Sequence, residues 1–163
     1  MRPINLLLFF TFSGLYLLCG CKKEQDPKDL ILPRLMIEVR GVDYGVMKGT
    51  IVKLPVSGTT ITIQDQPLIN EFDILNVEIV KVDIGVALLL QVSPQASRLL
   101  YRRSISNMGG RIVLMVSGNA IGARRIDGAI EDGNFYTFVE VDDDELGKLV
   151  FDIKASLASI QKK

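Results

Sequence analysis

Val86-Ala87-Leu88-Leu89-Leu90-Gln91-Val92-Ser93-Pro94 decides the fold. The first seven residues are nearly all apolar and read as a strand covered on both faces, because a strand with one wet face alternates. Ser93 can accept the free amides of a helix start, and Pro94 suits the first turn, where its missing N–H costs nothing. Leu99, Leu100, Arg103 and Ile105 continue that helix. It ends at Asn107-Met108-Gly109-Gly110, since glycine takes the left-handed conformation that closes helices. Arg111-Ile112-Val113-Leu114-Met115-Val116 is the next strand. Strand, helix and strand in this order describe a helix laid on a sheet.

Towards the N-terminus, Leu35–Val39 is a short strand, and Gly41, Gly45 and Gly49 punctuate the stretch after it. Thr50–Leu54 and Thr59–Gln64 are strands, the latter marked by alternating β-branched residues. Ile74–Val82 alternates as a half-buried strand does. Towards the C-terminus, Ile121–Ile126 is strand or loop, Asp127-Gly128 and Glu131–Asn134 are turns, and Phe135–Val141 is a strand. Asp142 to Glu145 then begins a helix carrying Leu146, Leu149, Val150, Ile153 and Leu157 at helical spacing. The expected fold is α+β, a single mostly antiparallel sheet with two helices packed on one face, formed by residues 34–163.

The N-terminus reads as an address. Arg2 precedes an apolar run from Ile4 to Leu18, which ends in Leu18-Cys19-Gly20-Cys21 before the polar Lys22-Lys23-Glu24. A basic start, a short apolar core and small residues at the end make a secretory signal over residues 1–20. The run is too short and too polar for a membrane span, which needs about 20 apolar residues. Its ending resembles the lipobox of bacterial lipoproteins. That resemblance implies cleavage between Gly20 and Cys21, lipid (palmitate among the acyl chains) on Cys21, and a place in the cell envelope facing the periplasm. Lys22 stands where the enterobacterial inner-membrane retention signal has Asp, which leans towards the outer membrane. Residues 21–33, broken by Pro27 and Pro33, read as a tether able to reach about 40 Å when extended.

Composition closes several doors. The 19 Lys+Arg cancel 19 Asp+Glu, which leaves no basic surplus for a nucleic-acid partner. There is no histidine, hence no histidine triad and no histidine-held metal. Of the two cysteines, one leaves with the signal and the other takes the lipid. No thiol, cofactor or metal chemistry is expected.

From Val77 to Ile153 the chain resembles the head subdomain of the first periplasmic domain of SecD, a protein-export accessory. The resemblance rests on Leu90-Gln91-Val92-Ser93-Pro94 leading into a helix through Ser104–Asn107, then Asn107-Met108-Gly109-Gly110 and the apolar strand to the hairpin at Ser117-Gly118-Asn119. Ile121–Ile126, Ala129–Gly133 and the acidic-started helix at Asp142 complete it. The resemblance implies a module that binds a protein or peptide at the envelope. It implies no proton-driven work, for the spans that harbour it in SecD have no counterpart in this reading.

Candidate site residues are few. Arg98 and Arg102, four apart, share a helix face, either as a basic patch or as a solvated face. Arg124 and Arg125 sit on adjacent positions of an alternating segment, so one should turn inward or into a groove and meet a carboxylate such as Asp127 or Glu131. The competing reading is an envelope hydrolase or glycan-binding protein, which requires a deep polar pocket gathering at least two acids, for instance Asp127 and Glu131, with an arginine. A third is a structural spacer. Asp142–Glu145 reads as helix capping in preference to a calcium site, lacking the spacing and glycine of an EF-hand loop.

Overall fold

A computed structural model describes residues 30–40 and 49–162. The expected signal peptide, Cys21 and the tether as far as residue 29 lie outside the described residues. The chain forms β1 (Pro33–Ile37), β2 (Gly49–Lys53), β3 (Thr60–Gln64), β4 (Ile74–Val82), β5 (Gly85–Val92), α1 (Pro94–Ser106), β6 (Arg111–Val116), β7 (Asn119–Arg125), β8 (Asn134–Thr137) and α2 (Asp143–Ile160), with a 3-10 turn at Glu71–Asp73.

Strand β6 runs between β1 and β7, antiparallel to both. Its residues from Ile112 to Val116 are all buried, and their alternation feeds two cores. Ile112, Leu114 and Val116 join Leu35 and Ile37 of β1 in the main core. Val113 and Met115 turn the other way, where the β2–β3 hairpin covers them with Leu54, Ile61 and Ile63. In the second sheet β5 lies between β4 and β8. Both helices enter the main core, α1 through Ala96 and Leu100 and α2 through Leu146, Val150, Ile153 and Leu157.

The helix boundaries follow from local chemistry. Ser93 Oγ accepts the Ala96 amide (3.2 Å) and itself donates to Asp73 Oδ1 (3.0 Å), fixing the start of α1 to the chain before β4. Gly109, at φ +75°, closes the other end and donates its N–H to the Ile126 carbonyl (2.7 Å). A side chain at that φ would be strained. Helix α2 differs from expectation in one detail. Asp142 occupies the cap without accepting an amide through its side chain, and Asp143, Asp144 and Glu145 act instead by placing negative charge in the first turn.

The architecture is α+β, but the expected single sheet is corrected to three: β1-β6-β7, β2-β3 and β4-β5-β8. Isolated bridges tie the chain just past β1 to β3 (Glu38 with Ile63), β7 to the chain just past β8 (Gly122 with Val139), and β1 to the segment before the 3-10 turn (Leu35 with Ile69). Register shifts between Ile74 and Asn76 in β4, and between Leu114 and Met115 in β6, bend the ladders out of one surface. Alternation of side chains reports which residues are buried and is blind to such breaks. Strand β8 shows the same effect, leaving β5 after Thr137 although the expected strand ran on to Val141.

The fold takes in the chain before residue 34. The Ile31 amide donates to Ser156 Oγ in α2 (2.9 Å), and the Ser117 amide to the Leu32 carbonyl (3.2 Å). Residues 31–33 are therefore seated on the domain, inside the stretch read as tether. Among the described residues no helix is long and apolar enough to cross a membrane.

Candidate functional site

Strands β7 and β8 belong to different sheets and run side by side. The chain just past β8 meets β7 at the Gly122–Val139 bridge, where the Glu140 amide donates to the Ile121 carbonyl (2.7 Å). Only glycine permits this approach, because a Cβ on residue 122 would collide with the Phe138 carbonyl oxygen. Beyond the bridge the two edges part. The opening is a cleft of about 640 Å³ with Val82, Ile84, Ala87, Tyr136 and Phe138 on one side and Ala123, Arg124 and Arg125 on the other.

The cleft is amphipathic. Tyr136 in β8 and Phe138 just past its end are 37% and 44% exposed and offer apolar surface to the cleft. Arg124 reaches across and donates from Nη1 to the Tyr136 carbonyl (3.3 Å). That carbonyl is met by a side chain where a sheet interior would supply a strand, so β8 is open on this edge. Arg125 pairs with Asp127 (Nε to Oδ1, 3.3 Å), both side chains more than 70% exposed, an arrangement worth about 0–1 kcal/mol. Arg125 thus meets Asp127, one of the carboxylates expected for it, at the rim of the cleft and not in the interior, because the parting of the edges leaves no neighbour to bury it.

Arg98 and Arg102 do share a face of α1. They line a second concavity of about 760 Å³ with Ser97, Tyr101 and Glu131. The four arginines named from sequence therefore fall into two places. So do the two acids, Asp127 lying in the first cleft and Glu131 in the second. Asp132 is occupied with its own turn: hydrogen bonds from the Asn134 side chain and amide hold its carboxyl below the usual range. Buried Ser104 accepts the Ile130 amide (3.0 Å) and donates to the Tyr101 carbonyl (2.8 Å), which is a structural duty. No group of three or more His, Cys, Asp or Glu gathers as for a metal among the described residues.

Two carboxylates invisible to sequence reading brace the site's surroundings. Glu140, just past the bridge, accepts the amides of Val56 and Ser57 (2.7 and 2.8 Å) and so ties the β2–β3 turn to the end of β8. Desolvation pushes its carboxyl up, but the hydrogen bonds from Ser57 and Val56 together hold it below the usual range. Glu71 accepts both arms of Arg34 (2.7 and 2.9 Å) with its side chain only 10% exposed. Neither pairing has a local motif, since the partners lie far apart in the chain.

The Arg34 hydrogen bond holds the Glu71 carboxyl below its ordinary value of 4.5, against the opposing effect of burial. The unfolded chain then binds the proton more readily. This stabilisation is full above the ordinary value and is lost as pH falls through the lower folded one. Denaturant titrations from pH 7 to pH 3 should show an acid limb that Glu71→Gln flattens, with a cost of about 1–2 kcal/mol at pH 7. An unchanged acid limb would mean that the pair contributes nothing.

No family model matches the chain, and no curated protein is significantly similar to it in sequence. Its fold has known counterparts, an α+β architecture found in a component of the protein-export apparatus. That component is SecDF, described as a membrane component that enhances protein export: TM-score 0.55, 14% identity, 77% of this chain and 63% of that chain. A second structure of SecDF, in its super-membrane-facing form, gives TM-score 0.56 and 14% identity over 78% of this chain and 19% of that one. This chain spans less than two thirds of either. The likeness is one of fold, and it covers more of the chain than residues 77–153 could supply.

Proposed function

We propose that this chain is a lipid-anchored cell-envelope protein, held to the membrane through Cys21, that binds an extended polypeptide segment and performs no catalysis. The observation that carries the reading is the parted pair of edges at β7 and β8. An extended peptide can add to an open strand edge through main-chain hydrogen bonds, while pockets beside the edge select its side chains. Tyr136 and Phe138 offer the apolar contact, and the Tyr136 carbonyl offers an acceptor that Arg124 can surrender. The SecDF-like fold supports a role in the setting of protein export. The division of Asp127 and Glu131 between two concavities supports binding over hydrolysis by that pair of acids.

The test uses the mature full-length protein and a short soluble peptide alternating valine and threonine. Calorimetric titration should show saturable binding, and intact mass should show acyl chains on an N-terminal Cys21. A protein that binds no extended peptide would overturn the binding reading. An unmodified N-terminal thiol would overturn the anchor.

A further inference from the structure

A net charge of zero conceals how the charges are placed. The register of β1, β6 and β7 gives the domain two ends. Pro33, Val116 and Asn119 lie at the end where the chain enters, and Ile37, Ile112 and Arg124 lie about 13 Å further on, at 3.3 Å per residue. At that far end Arg111 and Arg125 stand directly opposite on neighbouring strands, a like-charge pairing that costs stability. Arg40 arrives there too, donating to the Met108 carbonyl (2.8 Å), and Arg103 stands in the last turn of α1.

Only two acids answer these arginines within 4.0 Å among the described residues, Glu38 beside Arg111 and Asp127 beside Arg125. Arg40, Arg103 and Arg124 have no carboxylate at that distance among the described residues. Ile105 and Met108, about half exposed, lie among them. The near end carries more acids. Glu145 and Asp152 share a concavity with Lys148, Ile31 and Ser117, and Asp142, Asp143 and Asp144 are exposed beside it.

We propose that the far end is a docking surface for an acidic face of a partner protein. Exposed guanidinium groups interspersed with Ile105 and Met108 match a protein surface of carboxylates and apolar side chains, with arginine the side chain most suited to forked contacts with carboxylates. A partner protein is favoured over a bilayer because the cations named here are all arginine and stand beside Met108, the side chains enriched in protein–protein interfaces where lysine is depleted. This surface meets the peptide cleft along Arg124 and Arg125, which line that cleft, while Arg40, Arg103 and Arg111 lie outside it.

The experiment titrates the mature full-length protein with poly-L-glutamate by interferometry at low salt. Saturable binding is expected, weakened about tenfold or more by Arg103→Glu with Arg40→Glu, both outside the peptide cleft, and unchanged by Lys148→Glu at the near end. The milder Arg103→Gln with Arg40→Gln should give an intermediate loss with an unaltered melting curve, which separates docking from folding. Absence of binding, or equal losses from Lys148→Glu, would overturn the proposal. So would inorganic polyphosphate competing at concentrations where poly-L-glutamate of equal charge does not, since that result describes a phosphate or lipid-headgroup site. Binding that survives in a variant lacking the cleft aromatics shows the surface to be independent of the peptide cleft.

Discussion

Gly122→Ala should lower the melting temperature by about 5–10 °C. The added Cβ runs into the Phe138 carbonyl and also stands 3.2 Å from Val139 Cα, so backbone must move and no side chain can yield in its place. Forcing a methyl group into such a contact costs about 1–3 kcal/mol. At the several degrees per kcal/mol expected for a domain of this size, that cost becomes the stated shift. The same change alters the angle at which β7 and β8 part, because the Gly122–Val139 bridge is the hinge of the cleft. Peptide affinity should therefore fall even below the melting range. Gly128→Ala is the control: no heavy atom lies within 4 Å of its Cβ position, and the melt should stay where it was. Equal melting of both variants would show that the two sheets are not seated on one another at residue 122.

Tyr136→Asp combined with Phe138→Asp should reduce peptide affinity about 100-fold or more while moving the melt little. Both side chains are already partly in water, so the folded domain loses modest packing. A bound peptide loses much more. Burying a large apolar side chain contributes about 1.5–3 kcal/mol, and two aromatic surfaces are withdrawn and replaced with charges that a peptide would have to desolvate. A loss of about 2.7 kcal/mol already corresponds to 100-fold. If affinity is kept, the peptide lies elsewhere, with the Arg98 and Arg102 concavity the place to look.

Much of the fold was legible because it is written in local rules. The limits of β4 and β6 coincide with the expected strands, and α1 begins and ends where Ser93, Pro94 and Gly109 require. Arg98 and Arg102 share a face because helical spacing demands it. What escaped was long-range. The parting of β7 from β8 depends on Val139 crossing to Gly122, and a glycine in an alternating segment gives no sign of which strand will approach it. Alternation at Arg124 and Arg125 calls for a carboxylate inside the protein or in a groove, and which of the two holds depends on whether a strand covers the far side of β7. The bidentate Arg34–Glu71 pair and the capping of Val56 and Ser57 by Glu140 join segments with no shared pattern. The likeness to SecD held as a likeness of fold and reached further towards the N-terminus than its motifs did.

The most direct test of peptide capture is the backbone amide spectrum of the mature protein, recorded with and without the valine–threonine peptide. The account requires that the amides of Ala123 to Arg125 and of Tyr136 to Phe138 shift and exchange more slowly with solvent once peptide is bound. Shifts confined to α1 or β4, or a spectrum indifferent to saturating peptide, would contradict it.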